Sequence, residues 1–309
     1  MSRTRGSFVY ACGMETDLRS GDLDHLRPRL FAIAYRMLGN VHDAEDLAQE
    51  AFLRWHQSPR EDVVQPEAWL VAVVTRLAID RLRRRVHEQS EYPGPWLPEP
   101  IAPERVAPPP DRKVELASDL SMAFLVLLER LSPDERAAFL LREVFEYRYD
   151  DIARILEKSP SAARQIVHRA RERVRSDRPR FVVAPEVTET LLRRFVAALE
   201  REDEAEMMAL FAPEATLTSD GGGKVAAARR VIRGADRVVR MLLGIERKYG
   251  HPFRYRIVEL NGEPALVQDV SGDVFSSTFV ETDGTRILAL YRVMNPDKLG
   301  DVRPGVADA

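Results

Sequence analysis

The sequence has little cysteine and no long apolar run. It contains 309 residues but one cysteine, Cys12, and six histidines without His-x-x-x-His spacing. These shortages exclude disulfides and a structural zinc site. No apolar stretch approaches the about 18 residues of a membrane span, and the mean hydropathy of -0.30 is that of a globular protein in water. We therefore expect no transmembrane segment, no metal and no cofactor.

We expect no secretion signal in the first residues of the sequence. The apolar stretch that follows Arg3 and Arg5, from Phe8 to Cys12, is shorter than a signal peptide requires. We expect a cytoplasmic protein with a flexible N-terminus over residues 1–24, in which Met14 is a second possible start.

An overall excess of positive charge is absent as well. Lys and Arg number 46 against 49 Asp and Glu, for a net charge of -3, which by itself argues against a nucleic-acid partner. The local distribution argues the other way. Eight basic and two acidic residues lie between Lys158 and Arg180, and five arginines lie between Arg76 and His87 against Asp80 alone. These two segments are candidates for DNA contact.

Residues 25–88 read as a helical domain. Gly39 is expected to end its first helix and Asn40 to cap the second, whose apolar face includes Ala44 and Trp55. The opposite face of the second helix is acidic, which suggests a basic protein partner. The third helix follows Pro66 and ends in arginines. The acidic face consists of Asp43, Glu45, Asp46, Gln49 and Glu50, and the basic end of Arg76, Arg81, Arg83, Arg84 and Arg85.

Residues 89–113 form a proline-rich segment, with eight prolines between Pro93 and Pro110. This composition favours an extended linker rather than a packed element. Within it, Trp96 and Leu97 form an apolar pair in backbone that cannot be helical. We expect that pair to dock on another part of the chain.

Residues 114–180 are predicted to hold a helix-turn-helix. Ser132 to Glu135 is a capping box, and Tyr149 to Leu156 is a short amphipathic helix. Only three residues, beginning at Glu157, separate it from the next helix. The apolar stripe of that last helix leaves a basic face suited to a major groove. That face consists of Arg164, Gln165, His168, Arg169 and Arg171.

The segment 185–300 is predicted to be a separate α+β domain, with a short tail over residues 301–309. A helical stretch comes first, and five strand-like segments follow. Glycine turns at Asn261-Gly262 and Asp283-Gly284 favour an antiparallel meander. Three acids in or beside these strands, Asp220, Asp269 and Asp273, are the candidates for acid/base chemistry, but no carboxylate and histidine constellation accompanies them.

Two stretches of the sequence resemble a known family. DAEDLAQEAFLRW with EAWLVAVVTRLAIDRLRRR is similar to domain 2 of the extracytoplasmic-function (ECF) sigma factors, and the segment from LSPDERAAFLL to RARERV resembles their domain 4. The resemblance implies that the acidic face of the first helical domain docks on the β′ clamp helices of core RNA polymerase. It implies further that Arg76 to Arg85 contact the melted minus-ten element, and that the basic helix face from Arg164 to Arg171 contacts the minus-thirty-five element.

Three short motifs resemble the SigJ-like subgroup, which carries a SnoaL-like, ketosteroid-isomerase-like cone domain behind domain 4. They are WLPEP (Trp96, Leu97, Pro98, Glu99, Pro100), DGGGK (Asp220, Gly221, Gly222, Gly223, Lys224) and Asn295, Pro296, Asp297, Lys298 of NPDKL. DGGGK lacks the spacing of a phosphate-binding loop. At two positions the chain departs from the family pattern: Arg76 stands where many relatives have Asn, and Glu157 stands where the tight turn often has Gly.

The sequence thus predicts a multidomain protein with two all-α sigma domains followed by an α+β domain. Its predicted function is that of a non-enzymatic sigma factor that binds the β′ and β subunits of core polymerase and promoter DNA. The tail would regulate activity by holding the linker, and could bind a small ligand. Two alternatives stay open: a plain helix-turn-helix regulator with a ligand-sensing tail, and an enzyme with its active site in the tail.

Overall fold

A computed structural model describes residues 23–58, 63, 65–105, 120–177, 183–249 and 253–302. The predicted flexible N-terminus up to residue 22, residues 106–119 of the linker and of domain 4, and residues 303–309 lie outside the described residues. Contacts divide the chain into two compact units. The first is Met1–Arg85 with Leu131–Arg171, and the second is Val86–Arg130 with Glu172–Ala309.

Helices come first along the chain and strands later. The helices are α1 (Arg27–Leu38), α2 (Val41–Gln57), α3 (Pro66–Ser90), α4 (Met122–Leu128), α5 (Pro133–Glu143), α6 (Tyr149–Leu156), α7 (Pro160–Asp177), α8 (Pro185–Glu200), α9 (Glu204–Leu210) and α10 (Ala235–Tyr249). The strands are β1 (Phe211–Asp220), β2 (Ile232–Arg233), β3 (Arg254–Leu260), β4 (Glu263–Val270), β5 (Asp273–Thr282) and β6 (Ile287–Val293).

The helix ends of the first unit lie where the sequence places them. Gly39 adopts a left-handed conformation with φ 62° and ends α1, and the Asn40 side chain accepts a hydrogen bond from the Asp43 N–H at 2.8 Å to cap α2. Ser132 and Glu135 form the reciprocal capping box that starts α5. These local signals are confirmed because each depends only on neighbouring residues.

Helices α6 and α7 form the predicted helix-turn-helix. Ile152 and Ile155 of α6 and the Ala163, Val167 and Ala170 stripe of α7 are buried. The turn residue Glu157 has φ 55° in the left-handed region, where a residue with a Cβ is strained. The expectation of a non-glycine residue in this tight turn is therefore confirmed.

The second unit is built on a six-stranded sheet with the order β2-β1-β6-β5-β4-β3. Strands β3 to β6 form an antiparallel meander, with Asn261 (φ 54°) and Gly262 (φ 72°) in the tight turn between β3 and β4. The prediction of a purely antiparallel sheet is wrong at one pair, since β1 runs parallel to β6. Parallel neighbours need a long connection, and most of the domain lies between these two strands.

The sheet is covered on both faces. Helices α8 and α10 pack on one face, around Leu192, Phe195 and Val239, against Leu217 and Leu290 of the sheet. The other face packs against the linker and α4, through Leu97 and Met122, both 0% exposed. The prediction that the linker is not a packed element is therefore wrong for residues 97–101: its prolines prevent a helix but not burial of extended backbone.

Candidate functional sites

The acidic face of α2 has an exposed part and a more covered part. Glu45, Asp46 and Gln49 are exposed, and Asp46 lies 3.4 Å from the His42 imidazole. Glu50 is half-buried and pairs with Arg54, one helical turn on, at 2.7 Å. Asp43 is largely covered and faces α3. The exposed part of the acidic face is thus centred on the turn from residue 45 to residue 49.

The basic end of α3 is divided among different partners. Asp43 of α2 pairs with Arg81 at 3.2 Å and with Arg85 at 3.4 Å. Arg85 is 8% exposed and also donates to the Leu38 carbonyl at the end of α1, so its guanidinium is not accessible to DNA in this conformation. Arg83 and Arg84 are exposed.

The predicted recognition helix α7 presents its polar face outward. Arg164, Gln165, His168, Arg169 and Arg171 are all exposed, while the apolar stripe between them is buried. Arg171 bonds Glu143 at 2.6 Å, and that hydrogen bond raises the pKa of the arginine. The Arg164 guanidinium lies 5.8 Å from the centre of the Tyr149 ring. These contacts orient two arginines and leave Gln165 and His168 projecting into solvent.

The carboxylate of Asp220, at the end of β1, binds the linker. It is 0% exposed and accepts hydrogen bonds from the Leu97 N–H at 2.9 Å, the Tyr92 hydroxyl at 2.6 Å and the Gly222 N–H at 3.0 Å. Lys298 completes the site with a 2.7 Å ion pair to the same carboxylate. Burial and the hydrogen bond to Asp220 hold the pKa of Tyr92 well above its usual range. We call this group, formed by Tyr92, Leu97, Asp220 and Lys298, the linker clamp.

The ammonium of Lys298 joins the linker clamp to Trp96. It donates to the Leu97 carbonyl at 2.6 Å and lies 4.0 Å from the centre of the Trp96 ring and 5.2 Å from that of Tyr92. A buried ammonium is costly unless paired, and here a carboxylate, a carbonyl and two ring faces surround it. This is the docking partner of Trp96 that its isolation in the linker predicts.

The glycines of DGGGK allow close approach of backbone to the linker. Gly222 and Gly223 have φ 58° and 72°. A Cβ on Gly222 would lie 2.3 Å from the Asn295 amide nitrogen, and one on Gly223 would lie 2.6 Å from Pro93 Cγ. Asn295 in turn donates to the Tyr92 hydroxyl at 3.1 Å. A side chain at either glycine would therefore displace these neighbours.

The other motif residues surround the linker clamp. Pro98, Glu99 and Pro100 are buried behind Leu97. Asn295 caps the short 3-10 helix Pro296–Lys298, which delivers Lys298 to Asp220. Lys224 and Asp297 pair at 2.6 Å, with side chains 54% and 62% exposed, so they lie at the solvent edge of the site. The structure thus brings the linker, DGGGK and NPDKL motifs together.

The three candidate catalytic acids are not assembled into one site. Asp220 belongs to the linker clamp, Asp269 pairs with Arg256 at 2.5 Å, and Asp273 is exposed. The interior of the tail domain instead holds Arg292, which donates to Gln268 and Ser276 and whose pKa burial lowers to about 10. The cavity beside it has a volume of about 10 Å³, which is room for about one water molecule.

Two contacts escaped sequence analysis. The Asn261 amide accepts from the Ile101 N–H at 3.1 Å and donates to the Leu120 carbonyl at 3.1 Å, so the turn residue contacts both the linker and the segment just before α4. Glu263 accepts from the Met122 N–H at the start of α4 at 2.7 Å. The apolar pair Trp96-Leu97 indicated that the linker docks on another part of the chain, but no sequence signal identified Asn261 or Glu263 as partners.

In the part of the chain that the structure describes, no group of three or more His, Cys, Asp or Glu side chains could hold a metal ion. Within the same residues, no helix combines the length and apolar character of a membrane span.

Comparisons with known proteins agree with these features. A family model described as Sigma-70 region 2 matches residues 23–88, and one described as Sigma-70, region 4 matches residues 121–174. The chain is 37% identical over 287 residues to the ECF RNA polymerase sigma factor SigJ of Mycobacterium tuberculosis, covering 90% of this chain and 92% of that protein. It is 29% identical over 280 residues to the probable ECF RNA polymerase sigma factor SigI of the same species, covering 90% and 93%.

A solved structure extends the likeness to the whole fold. The crystal structure of the Mycobacterium tuberculosis sigma factor SigJ matches with a TM-score of 0.73 at 33% sequence identity, and the match covers 92% of this chain and 99% of that one. The match spans the two helical sigma domains and the α+β tail. Because identity of 37% extends over nine tenths of both chains, this chain belongs to the ECF RNA polymerase sigma factors, which bind core RNA polymerase and promoter DNA.

Proposed function

We propose that this sigma factor regulates its own promoter-directed initiation through the linker clamp. The observation that carries the proposal is the buried Asp220 carboxylate, which binds Leu97 N–H, Tyr92 and Lys298 at once. A carboxylate that accepts several charge-assisted hydrogen bonds away from water holds its partners firmly. The linker joins the sigma domains, so its conformation limits the distance between them. A factor that works with the polymerase acts in the cytoplasm.

The surfaces that contact the polymerase and the promoter follow from exposure and charge. Glu45, Asp46 and Gln49 are the accessible part of the acidic face, and we assign them to the β′ clamp helices of core polymerase, with β as the second contacting subunit. The recognition helix α7 is assigned to the minus-thirty-five element, with Gln165 and Arg169 facing bases or phosphates. Exposed Arg83 and Arg84 are assigned to the minus-ten region. A small ligand bound beside Arg292 would have to enlarge the cavity there.

Asp220→Asn tests the linker clamp. The variant keeps the volume of the side chain but leaves Lys298 buried without its counter-charge, which costs about 3–5 kcal/mol where a buried pair is broken. We expect the linker to dissociate from the tail. Chymotrypsin should then cut after Trp96, because Tyr92 and Leu97 are each followed by proline and resist cleavage. Transcription with purified core polymerase should change in the same variant.

The matched control is Asp236→Asn on α10, whose carboxylate is exposed and lies 3.7 Å from Arg240. It should leave both cleavage and run-off transcription at the wild-type level. Cleavage of Asp220→Asn after Trp96 without any change in transcription would contradict the regulatory role. Resistance of both variants to cleavage would contradict the linker clamp itself.

A further inference from the structure

Within the first unit, Arg76 of α3 binds the C-terminal end of α6, the first helix of the helix-turn-helix. Its Nε donates to the Ile155 carbonyl at 2.8 Å, and its Nη2 donates to the Arg154 carbonyl at 2.9 Å. Its Nη1 lies 3.1 Å from the Glu157 carboxylate. The guanidinium therefore engages two carbonyls and one carboxylate together.

The chemistry of a helix C-terminus explains why arginine suits this place. The last carbonyls of a helix lack intrahelical partners and carry partial negative charge, which attracts a cation. The guanidinium of Arg76 uses a different nitrogen for each carbonyl and keeps a third for Glu157, and it adds a positive charge that the neutral amide of asparagine does not carry. Glu157 adds a full negative charge that glycine would not supply. The two positions at which the sequence departs from the family pattern, 76 and 157, thus meet in one contact.

Other residues of the same unit extend this contact into an interface. Arg136 of α5 is 3% exposed and donates to the Met37 carbonyl at 2.7 Å, at the end of α1. Arg83 pairs with Asp134 at 2.8 Å, and the Arg36 guanidinium lies 5.6 Å from the Phe145 ring. Helices α1 and α3 of domain 2 are therefore held against α5 and α6 of domain 4.

This arrangement cannot span a two-part promoter. The minus-ten and minus-thirty-five elements lie about 25 base pairs apart, which at about 3.4 Å per pair is about 85 Å of duplex. Arg76 is hydrogen-bonded to Ile155, and Arg164 of the recognition helix is nine residues further along the chain. Nine residues extend over about 30 Å at most. Arg76 and the recognition helix cannot occupy both elements in this state.

We propose that the contact of Arg76 with Ile155, Arg154 and Glu157, which we call the Arg76 clasp, holds domain 2 against the helix-turn-helix in the free factor and must open before the promoter is bound. Arg76 then has two alternating sets of partners: the carbonyls of α6 and Glu157 in the closed state, and the minus-ten region in the open state. The binding of Arg76 to the minus-ten region in the open state rests on the proposed function. The closed state rests only on the contacts of Arg76 with α6 and Glu157.

The test measures the distance between the two domains in the full-length free factor. In a Cys12→Ser background, Leu53→Cys on α2 and Ser161→Cys on α7 carry a donor and an acceptor dye for energy transfer. Both positions are exposed. The wild-type clasp should give high transfer efficiency. Glu157→Gly should lower it, because the ion pair is lost while glycine accommodates the left-handed φ without strain. Arg76→Gln should lower it further.

The matched control is Glu202→Gly in the second unit. Glu202 also has a positive φ, 51°, and also pairs with an arginine, Arg247 at 2.6 Å. It should leave the transfer efficiency unchanged. Circular dichroism checks that each variant is folded. Unchanged efficiency in both Glu157→Gly and Arg76→Gln would overturn the clasp.

A second measurement separates this inference from the proposed function. Free Glu157→Gly should bind duplex DNA with a minus-thirty-five element about 2- to 5-fold more tightly than wild type, since less of it is closed. Reduced energy transfer without tighter DNA binding would confirm closure and reject its role in occluding DNA. Failure of the wild-type factor to bind core polymerase would reject the proposed function but leave the energy-transfer result intact.

Discussion

At the scale of single residues, the arginines of this sigma factor differ in burial and in the groups that they contact. Arg85 is 8% exposed and bonds the end of α1, so it stabilises domain 2. Arg76 is half-exposed and binds another helix end, while Arg164 projects from the recognition helix. The sequence presents all three as members of basic clusters. Only packing determines which of them are available to phosphates.

Charge reversal at Asp46 tests the acidic face of α2. Asp46 is exposed, so Asp46→Lys should fold normally, with a free energy of unfolding within about 0.5 kcal/mol of wild type. It should weaken binding to core polymerase at least about 10-fold, because a positive side chain would meet a basic partner surface. The measurement is a titration of labelled factor with purified core.

Glu259→Lys is the control for that reversal. Glu259 is exposed on β3, in the tail domain, and its reversal changes the net charge by the same amount. Binding to core should be unaffected. Equal loss of affinity in both variants would mean that net charge, rather than the acidic face, governs the interaction.

At the scale of secondary-structure elements, the sequence predicts what is local and misses what is remote. The Asn40 cap, the capping box at Ser132 and the turn at Asn261-Gly262 follow from residues within four positions of one another. The parallel pairing of β1 with β6 and the burial of the linker depend on partners more than 70 residues away, as with Leu97 and Asp220. A proline-rich composition indicates an extended backbone but not what it packs against.

The start of α4 gives a pH-dependent prediction. Burial raises the pKa of Glu263 to about 8, although the hydrogen bond from Met122 N–H acts in the opposite direction. Between about pH 5 and pH 8 the folded protein retains a proton that the unfolded chain has lost. Raising the pH through this window therefore favours unfolding, by up to about 5 kcal/mol at 1.36 kcal/mol per pKa unit. Above pH 8, where Glu263 is ionised in both the folded and the unfolded chain, the loss of stability levels off.

Glu263→Gln should remove this dependence, since the amide oxygen still accepts from Met122 and carries no charge. The measurement is urea unfolding at pH 5 and pH 8. Wild type should lose more stability than the variant over that interval, and exposed Glu259→Gln should behave as wild type. A variant whose stability falls as steeply as that of wild type would show that Glu263 is ionised in the folded protein.

At the scale of the whole molecule, the boundary between compact units differs from the order of domains along the chain. Helix α4 matches the family model of sigma region 4 but packs on the tail sheet, through Met122 and the capping carboxylate of Glu263. Linker residues Leu97 and Ile101 are 0% exposed in the same unit. The tail therefore contacts both the linker and the first helix of domain 4, and the proposed regulation has two contacts through which to act.

Deletion of residues 181–309 tests this coupling. It would expose Leu97, Ile101 and Met122, each of which is fully buried, and burial of such a side chain contributes about 1.5–3 kcal/mol. The freed linker should change run-off transcription with core polymerase, in the same direction as Asp220→Asn in the full-length chain, because both remove the linker clamp. Unchanged output from several promoters would reject regulation by the tail. A change on deletion that Asp220→Asn does not reproduce would place the regulatory contact at α4 rather than at the linker clamp.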